Sequence, residues 1–411
     1  MRTRLLIPLL LGIVTLTTSP LRAAAAESPW DLAQLSKAPA HEWLVKDGPM
    51  RALTYTGLPF QGKPSQVFAY YASPATLSTA PATATQTKYP GVVLIHGGGG
   101  TAFKAWAELW AQRGYAAIAM DLSGMRPDEA DPNKRARIPD GGPDQGHPAK
   151  FDTIRTEDIT DDWPLHAVAN GILAHSLLLS FPEVDKDRTA VTGISWGGYT
   201  TCIVASVDSR FKAAVPVYGC GFLDQNSTWL GEFSKLGPDL TKKWVERYDP
   251  SSHLPRCTVP IFFMNGTNDF AYPLDSYMKS YDAVTKTTKN IRIEIKMPHG
   301  HGVGWQPKEI GLWVDQQLGL GDGKPLPTCS APVLSDGKVT AKITHALPVK
   351  SAAFNYALPG EAVNKREWKS VPATVENDIV TAPAAEPGSD MWFFTVTDER
   401  DAMVSSPVAF K

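Results

Sequence analysis

Residues 193–197 read Gly193-Ile194-Ser195-Trp196-Gly197, set between the apolar run Thr189 to Thr192 and the helix-compatible stretch Tyr199 to Ala205. A serine at the apex of a strand-to-helix turn presents its hydroxyl for attack. The turn is crowded enough that the positions two either side must lack side chains, hence the glycines. Ser195 is the candidate nucleophile. Because a serine hydroxyl reacts poorly near neutral pH, it needs a histidine to take its proton and an acid to orient that histidine, both delivered by the fold.

Two downstream loops supply these groups in the order serine, acid, histidine. The apolar strand Val259 to Met264 runs into Asn265-Gly266-Thr267-Asn268-Asp269, which makes Asp269 the acid; Asp275 is a weaker candidate, because Pro273 opens a helix there. The strand Ile291 to Met297 ends in Pro298-His299-Gly300-His301-Gly302. Either histidine could reach across the sheet edge. His301 is preferred as the base because its flanking glycines allow close approach, with His299 the alternative. Upstream, Val92 to Ile95 leads into His96-Gly97-Gly98-Gly99-Gly100. A glycine turn between a buried strand and the helix Phe103 to Arg113 can aim backbone N–H groups at a developing oxyanion. The hole is assigned to the N–H groups of Gly98 and Trp196, with Gly97 or Gly99 as alternatives to Gly98. The run lacks the Lys-Ser/Thr that follows a phosphate loop.

Ser195, Asp269, His301 and the His96 to Gly100 run resemble the α/β-hydrolase superfamily. Within it, Thr192-Gly193-Ile194-Ser195-Trp196-Gly197-Gly198-Tyr199 and the pair Gly266 and Asp269 resemble the prolyl-oligopeptidase-like and dienelactone-hydrolase-like branch, including acetylxylan-esterase-type carbohydrate esterases. The resemblance covers residues 50 to 320. It implies a serine hydrolase working through an acyl-enzyme with no cofactor and no metal. Prolyl oligopeptidases carry an N-terminal propeller, for which the sequence before Val92 is far too short; this favours an esterase over a peptidase.

The elements that must position these groups read as alternating strands and helices. Tyr115 to Met120 is a buried strand, Ala167 to Leu179 an amphipathic helix, and Trp305 to Leu318 the last helix. Such alternation predicts an α/β fold: a doubly wound, mostly parallel sheet with active residues at the carboxyl ends of its strands. Two insertions emerge at that edge, the Gly-rich segment 126–151 with Asp144 and His147, and the segment 221–256, read as a helical lid. Trp229, Tyr272 and Trp305 are the expected substrate-binding aromatics, whose flat faces suit sugar rings; Trp196 and Phe270 also lie beside the chemistry.

Composition bounds the rest. Arg2 and Arg4 precede the apolar run Leu5 to Leu16, and Ala23 to Ala26 supply small residues, so residues 1–26 are expected to be a cleaved signal peptide and the protein secreted or periplasmic, without a membrane anchor. Removing Arg2, Arg4 and Arg22 takes the formal charge from −2 to about −5, which gives no footing for nucleic acid. Four cysteines in an exported chain allow three connectivities, and Cys257 to Cys329 is the bridge considered first. Composition changes near residue 320. The catalytic domain is expected over 27–324, and 325–411, with short alternating segments such as 338–343 and 391–396, reads as a β-sandwich of Ig-like size. The expected partner is an ester substrate, taken to be carbohydrate-linked, such as acetylated polysaccharide. The alternatives are a prolyl-oligopeptidase-like peptidase and a non-catalytic carbohydrate-binding protein on a hydrolase scaffold.

Overall fold

The computed structural model describes residues 28–78, 88–128, 131, 134–146, 148–360 and 362–411. The expected signal peptide and His147 lie outside the described residues.

A nine-stranded sheet organises the larger part of the chain. Its strands are β1 (His41–Val45), β2 (Arg51–Thr56), β3 (Gln66–Ala72), β4 (Tyr89–Ile95), β5 (Ala116–Met120), β6 (Val184–Ile194), β7 (Ala213–Val217), β8 (Ile261–Gly266) and β9 (Lys289–Glu294), in the order β1-β2-β3-β5-β4-β6-β7-β8-β9. From β5 to β9 every pairing is parallel. β1 to β3 add an antiparallel flank that the strand-helix alternation did not anticipate. The parallel strands are apolar on both faces, as a sheet covered by helices on each side requires.

The chain winds outward from β4 to β5, then crosses back to β6 on the other side of β4. The carboxyl ends of β4 and β6 therefore lie side by side, with Ile95 in register with Gly193. This reversal of strand order leaves a crevice between the departing loops, which is where open α/β sheets bind ligands.

Helices α1 (Lys104–Gln112), α2 (Trp163–Leu178), α3 (Trp196–Val207), α4 (Leu230–Leu236), α5 (Pro238–Tyr248), α6 (Leu274–Ala283) and α7 (Lys308–Gln317) cover the sheet and its carboxyl edge. The segment read as a lid is helical, supplying α4 and α5. α2 departs from the amphipathic expectation: all of its residues are buried. The outer face is covered by residues 30–36, with Trp30 Nε1 donating to the Leu165 carbonyl (3.0 Å) and Ser176 Oγ to the Leu35 carbonyl (2.7 Å).

Beyond residue 327 two antiparallel sheets form a sandwich. One contains Lys338–Thr344 and Ile379–Pro383, the other Val349–Ala357 and Met391–Asp398, and Phe354, Val380 and Phe394 are fully buried. The sandwich docks on the sheet's edge: Ser405 Oγ accepts from the Ile293 N–H of β9 (3.0 Å), and Glu309 Oε1 of α7 accepts from the Met403 N–H (2.7 Å). An exposed edge strand would otherwise invite pairing with another chain.

The bridge between Cys257 and Cys329 does not form. All four cysteines are free and buried. Cys257 Sγ instead faces the carbonyls of Val259 (3.5 Å) and Ala205 (3.6 Å), so packing rather than a covalent link holds this end of the sheet.

Candidate active site

β6 ends at Ile194 and α3 begins at Trp196, leaving Ser195 alone at the turn with φ 59° and ψ −119°. A positive φ in a residue bearing a Cβ is strained, and two backbone bonds hold it: Ser195 N–H donates to the Val217 carbonyl (2.8 Å), and its own carbonyl accepts from Tyr199 N–H (2.9 Å). The flanking glycines are required by close approach. A Cβ on Gly193 would stand 2.2 Å from the Gly197 carbonyl oxygen, and one on Gly197 would stand 2.0 Å from that of Ile95.

The loops after β8 and β9 bring their groups to this apex. His299 Nε2 lies 2.9 Å from Ser195 Oγ, and His299 Nδ1 lies 2.6 Å from Asp269 Oδ2. The other carboxylate oxygen of Asp269 accepts from the N–H groups of Ala271 (2.9 Å) and Tyr272 (2.8 Å), so the buried acid is anchored at both oxygens. The imidazole lies against Tyr218 (centroids 4.5 Å apart), with Phe270 at 4.9 Å on the same ring. Asp275 opens α6, and both its oxygens accept from Asn226 Nδ2, which turns it away from this chain of bonds.

This geometry corrects the choice of His301. That residue begins a one-turn helix, His301–Gly304, and its Nε2 accepts the N–H of Gly97 at 3.0 Å, beside Phe103. Only one imidazole fits between a serine and an aspartate, and the loop delivers His299 there. Burial, with His96 and His299 nearby, pushes His301 down to about 4, so it stays a neutral acceptor.

The glycine turn is braced from two sides. His96 Nδ1 is 2.7 Å from the Gly97 carbonyl, and its Nε2 accepts from Leu122 N–H (2.9 Å), while His301 takes the Gly97 N–H. Gly97 is thereby removed as an oxyanion donor. Gly98 faces the Trp196 indole closely enough that a Cβ there would sit 3.2 Å from Cδ1, which brings together the two residues assigned to the hole.

Of the substrate aromatics, Trp229 is half-buried and stands 4.4 Å from Trp196 and 5.1 Å from Tyr272. Trp305 packs on Trp106 (5.2 Å) and Phe103 (5.2 Å), inside an aromatic cluster under the glycine turn. The ring of Tyr272 is fully buried, so it offers no face for a sugar. Phe270, 59% exposed over His299, presents the accessible ring instead.

Three further residues carry no signal in a single sequence. Lys150 Nζ sits 4.2 Å over the Trp196 ring and 5.1 Å over Trp163, and burial pushes it down to about 7. Gln145 donates to Ser123 Oγ (2.6 Å), leaving its buried Oε1 without a partner near Gly98. Asn268 Nδ2 donates to the carbonyls of Asn364 (3.0 Å) and Arg366 (2.9 Å), tying the loop of Asp269 to the sandwich. Among the described residues no group of three or more His, Cys, Asp or Glu side chains is placed to hold a metal, and no helix is long and apolar enough to cross a membrane.

Comparison with known proteins points the same way. The prolyl oligopeptidase family matches residues 156–319 and the acetyl xylan esterase (AXE1) family residues 60–225. Acetyl esterase Axe7A of Xylanibacter ruminicola is 24% identical over 245 residues, covering 56% of this chain and 54% of that one. The uncharacterized peptidase YuxL of Bacillus subtilis is 24% identical over 258 residues, covering 57% and 35%. The chain thus spans about half or less of the length of these curated relatives. An acetyl xylan esterase from Paenibacillus sp. R4 superposes with a TM-score of 0.52 at 20% identity, over 66% of this chain and 87% of that one. With its strand order, its strained serine turn and this superposition, the chain has the α/β-hydrolase fold, and over the matched stretches it resembles acetyl xylan esterases and prolyl oligopeptidases.

Proposed function

We propose that the chain is a serine carboxylesterase that cleaves carbohydrate-linked esters, such as those of acetylated polysaccharide, through an acyl-enzyme. The observation that carries this is the single imidazole of His299, bonded at once to Ser195 Oγ and Asp269 Oδ2. Ser195 Oγ attacks the ester carbonyl while His299 Nε2 takes its proton. The oxyanion is received by the N–H groups of Trp196 and Gly98. Collapse expels the alcohol, which takes the proton from His299, and water, with His299 again as base, cleaves the acyl-enzyme. Asp269 holds the imidazole in the tautomer with Nδ1–H and balances its charge when it is doubly protonated.

The ester reading draws on the acetyl esterase and acetyl xylan esterase likenesses, and on the exposed Phe270 and half-buried Trp229 at the mouth, whose faces suit a sugar ring. Residues 27–324 would carry the chemistry and 325–411 the sandwich, and the leader at 1–26 would direct export to the periplasm or beyond the cell. The test is a panel of sugar acetates, feruloyl sugars and peptide amides assayed with the wild-type protein and Ser195→Ala. Turnover of sugar acetates that Ser195→Ala abolishes is expected. Preferential cleavage of amides would move the chain to the peptidase reading, and the absence of any turnover would favour a binding protein.

A further inference from the structure

Eight tyrosines are almost wholly withdrawn from water: Tyr55, Tyr71, Tyr115, Tyr199, Tyr218, Tyr248, Tyr272 and Tyr277. A buried phenol left without an acceptor costs free energy, so each is expected to donate to something. Seven do. Tyr55 donates to the Asn170 carbonyl (2.8 Å), Tyr199 to that of Tyr248 (2.5 Å), Tyr218 to that of Pro298 (2.7 Å) and Tyr277 to that of Met264 (2.7 Å). Tyr71 and Tyr115 reach the carboxylates of Glu183 and Asp315, and Tyr248 reaches that of Asp162. The hydroxyl of Tyr272 alone among them is buried with no hydrogen bond.

Its placement is not slack. The Tyr272 N–H donates to Asp269 Oδ1 (2.8 Å), its carbonyl accepts from Asn265 Nδ2 (2.8 Å), and its ring lies within 7° of parallel to that of His299, with centroids 6.4 Å apart. Trp229 packs against the same ring at 5.1 Å. Ser195 is the side chain near enough to act on this hydroxyl as a hydrogen-bonding group, yet the hydroxyl makes no hydrogen bond at rest. Burial holds the phenol well above its usual range, so it remains a proton donor wherever the enzyme would work.

We propose that Tyr272 is a catalytic residue whose hydroxyl donates a hydrogen bond to Ser195 Oγ as negative charge develops on that oxygen. The idea rests on Ser195 being the nucleophile. During attack, the proton of Oγ passes to His299 Nε2 and the bond from Tyr272 stabilises the partial charge on Oγ until its electron pair forms the bond to carbon and the charge moves to the carbonyl oxygen. During cleavage of the acyl-enzyme, Oγ is the leaving atom and the same bond stabilises it until it recovers its proton from His299. Tyr272 keeps its own proton throughout. The hydroxyl is unpartnered at rest because its acceptor strengthens only along the reaction, which is how a group speeds a step without tightening ground-state binding.

Tyr272→Phe removes the hydroxyl and nothing else. Because the hydroxyl makes no bond at rest, Tm should hold or rise. kcat on a sugar acetate should fall about 10- to 100-fold with KM little changed, and labelling of Ser195 by an alkyl fluorophosphonate should slow by a similar factor. Labelling reads the reactivity of Oγ whatever the natural ester is. If wild-type protein is labelled but hydrolyses no sugar ester, the substrate assignment fails while the comparison of labelling rates still decides the role of Tyr272. Labelling and turnover within about twofold of wild type would overturn the proposal. So would a several-degree loss of Tm accompanying the lost rate, since that is the mark of a packing role.

Discussion

His299 and His301 lie two residues apart on one loop and do opposite things. His299 stands between a hydroxyl and a carboxylate, with its side chain 14% exposed at the mouth of the site. His301 turns inward from the start of a short helix, accepts a backbone N–H and packs on Phe103. One has partners that exchange protons; the other has a partner that only donates. Residue type and loop position are the same for both, so the difference teaches that a histidine's chemistry is set by what its two nitrogens meet.

The sharpest test is His299→Ala, which should lower kcat about 10000-fold or more while the protein stays folded, because serine and oxyanion donors alone retain only residual catalysis. A steady-state comparison with His301→Ala settles the ranking, and a larger loss in the latter would invert the assignment. His301→Ala itself should cost about tenfold in kcat and about 1 to 2 kcal/mol in stability, since the Gly97 N–H loses its acceptor and the glycine turn loosens. Urea unfolding read beside the kinetics separates the two effects, and unchanged activity would show that the turn needs no brace.

The smallest expected effect concerns pH. The folded protein holds His301 down at about 4, whereas in the unfolded chain it titrates at about 6.5. Between these values the unfolded state binds a proton that the folded state refuses, so stability falls as pH drops through that window. Burial lowers His253 to about 4 and also lowers His166 and His175, so all four contribute. His301→Gln removes one contribution, and thermal melts should show a shallower loss of Tm from about pH 6.5 to about pH 4. An unchanged slope would mean that His301 is protonated in the folded protein.

A similar contrast separates the two units of the chain. The loop of Asp269 is local to the nine-stranded sheet, yet Asn268 beside it spends both amide hydrogens on carbonyls of the sandwich. The Pro- and Gly-rich stretch at 319–327 reads as a linker between separate bodies. The folded chain packs both into one continuous core, because β9 is an edge strand whose N–H groups need covering.

Some features were legible in the chain because their causes are local. Gly193 and Gly197 flank Ser195 because backbone atoms within a few residues, and on the neighbouring strand, leave no room for a Cβ, and the strand and helix around them follow from short-range periodicity. The place of Asp269 on the loop after a buried strand was readable. The parallel sheet from β5 to β9 was readable from the alternation of apolar runs. The antiparallel flank β1 to β3, the burial of α2 on every side, the four free thiols, the choice of His299 and the orphaned hydroxyl of Tyr272 were decided only by the folded chain. Each depends on which distant backbone or side chain arrives, or fails to arrive, at a given atom: residues 30–36 for α2, Gly97 for His301, Ser195 for His299, and no partner for the Tyr272 hydroxyl. Spacing along the chain sets which loop a side chain leaves from, but the direction it takes is set by the packing of elements far away in sequence.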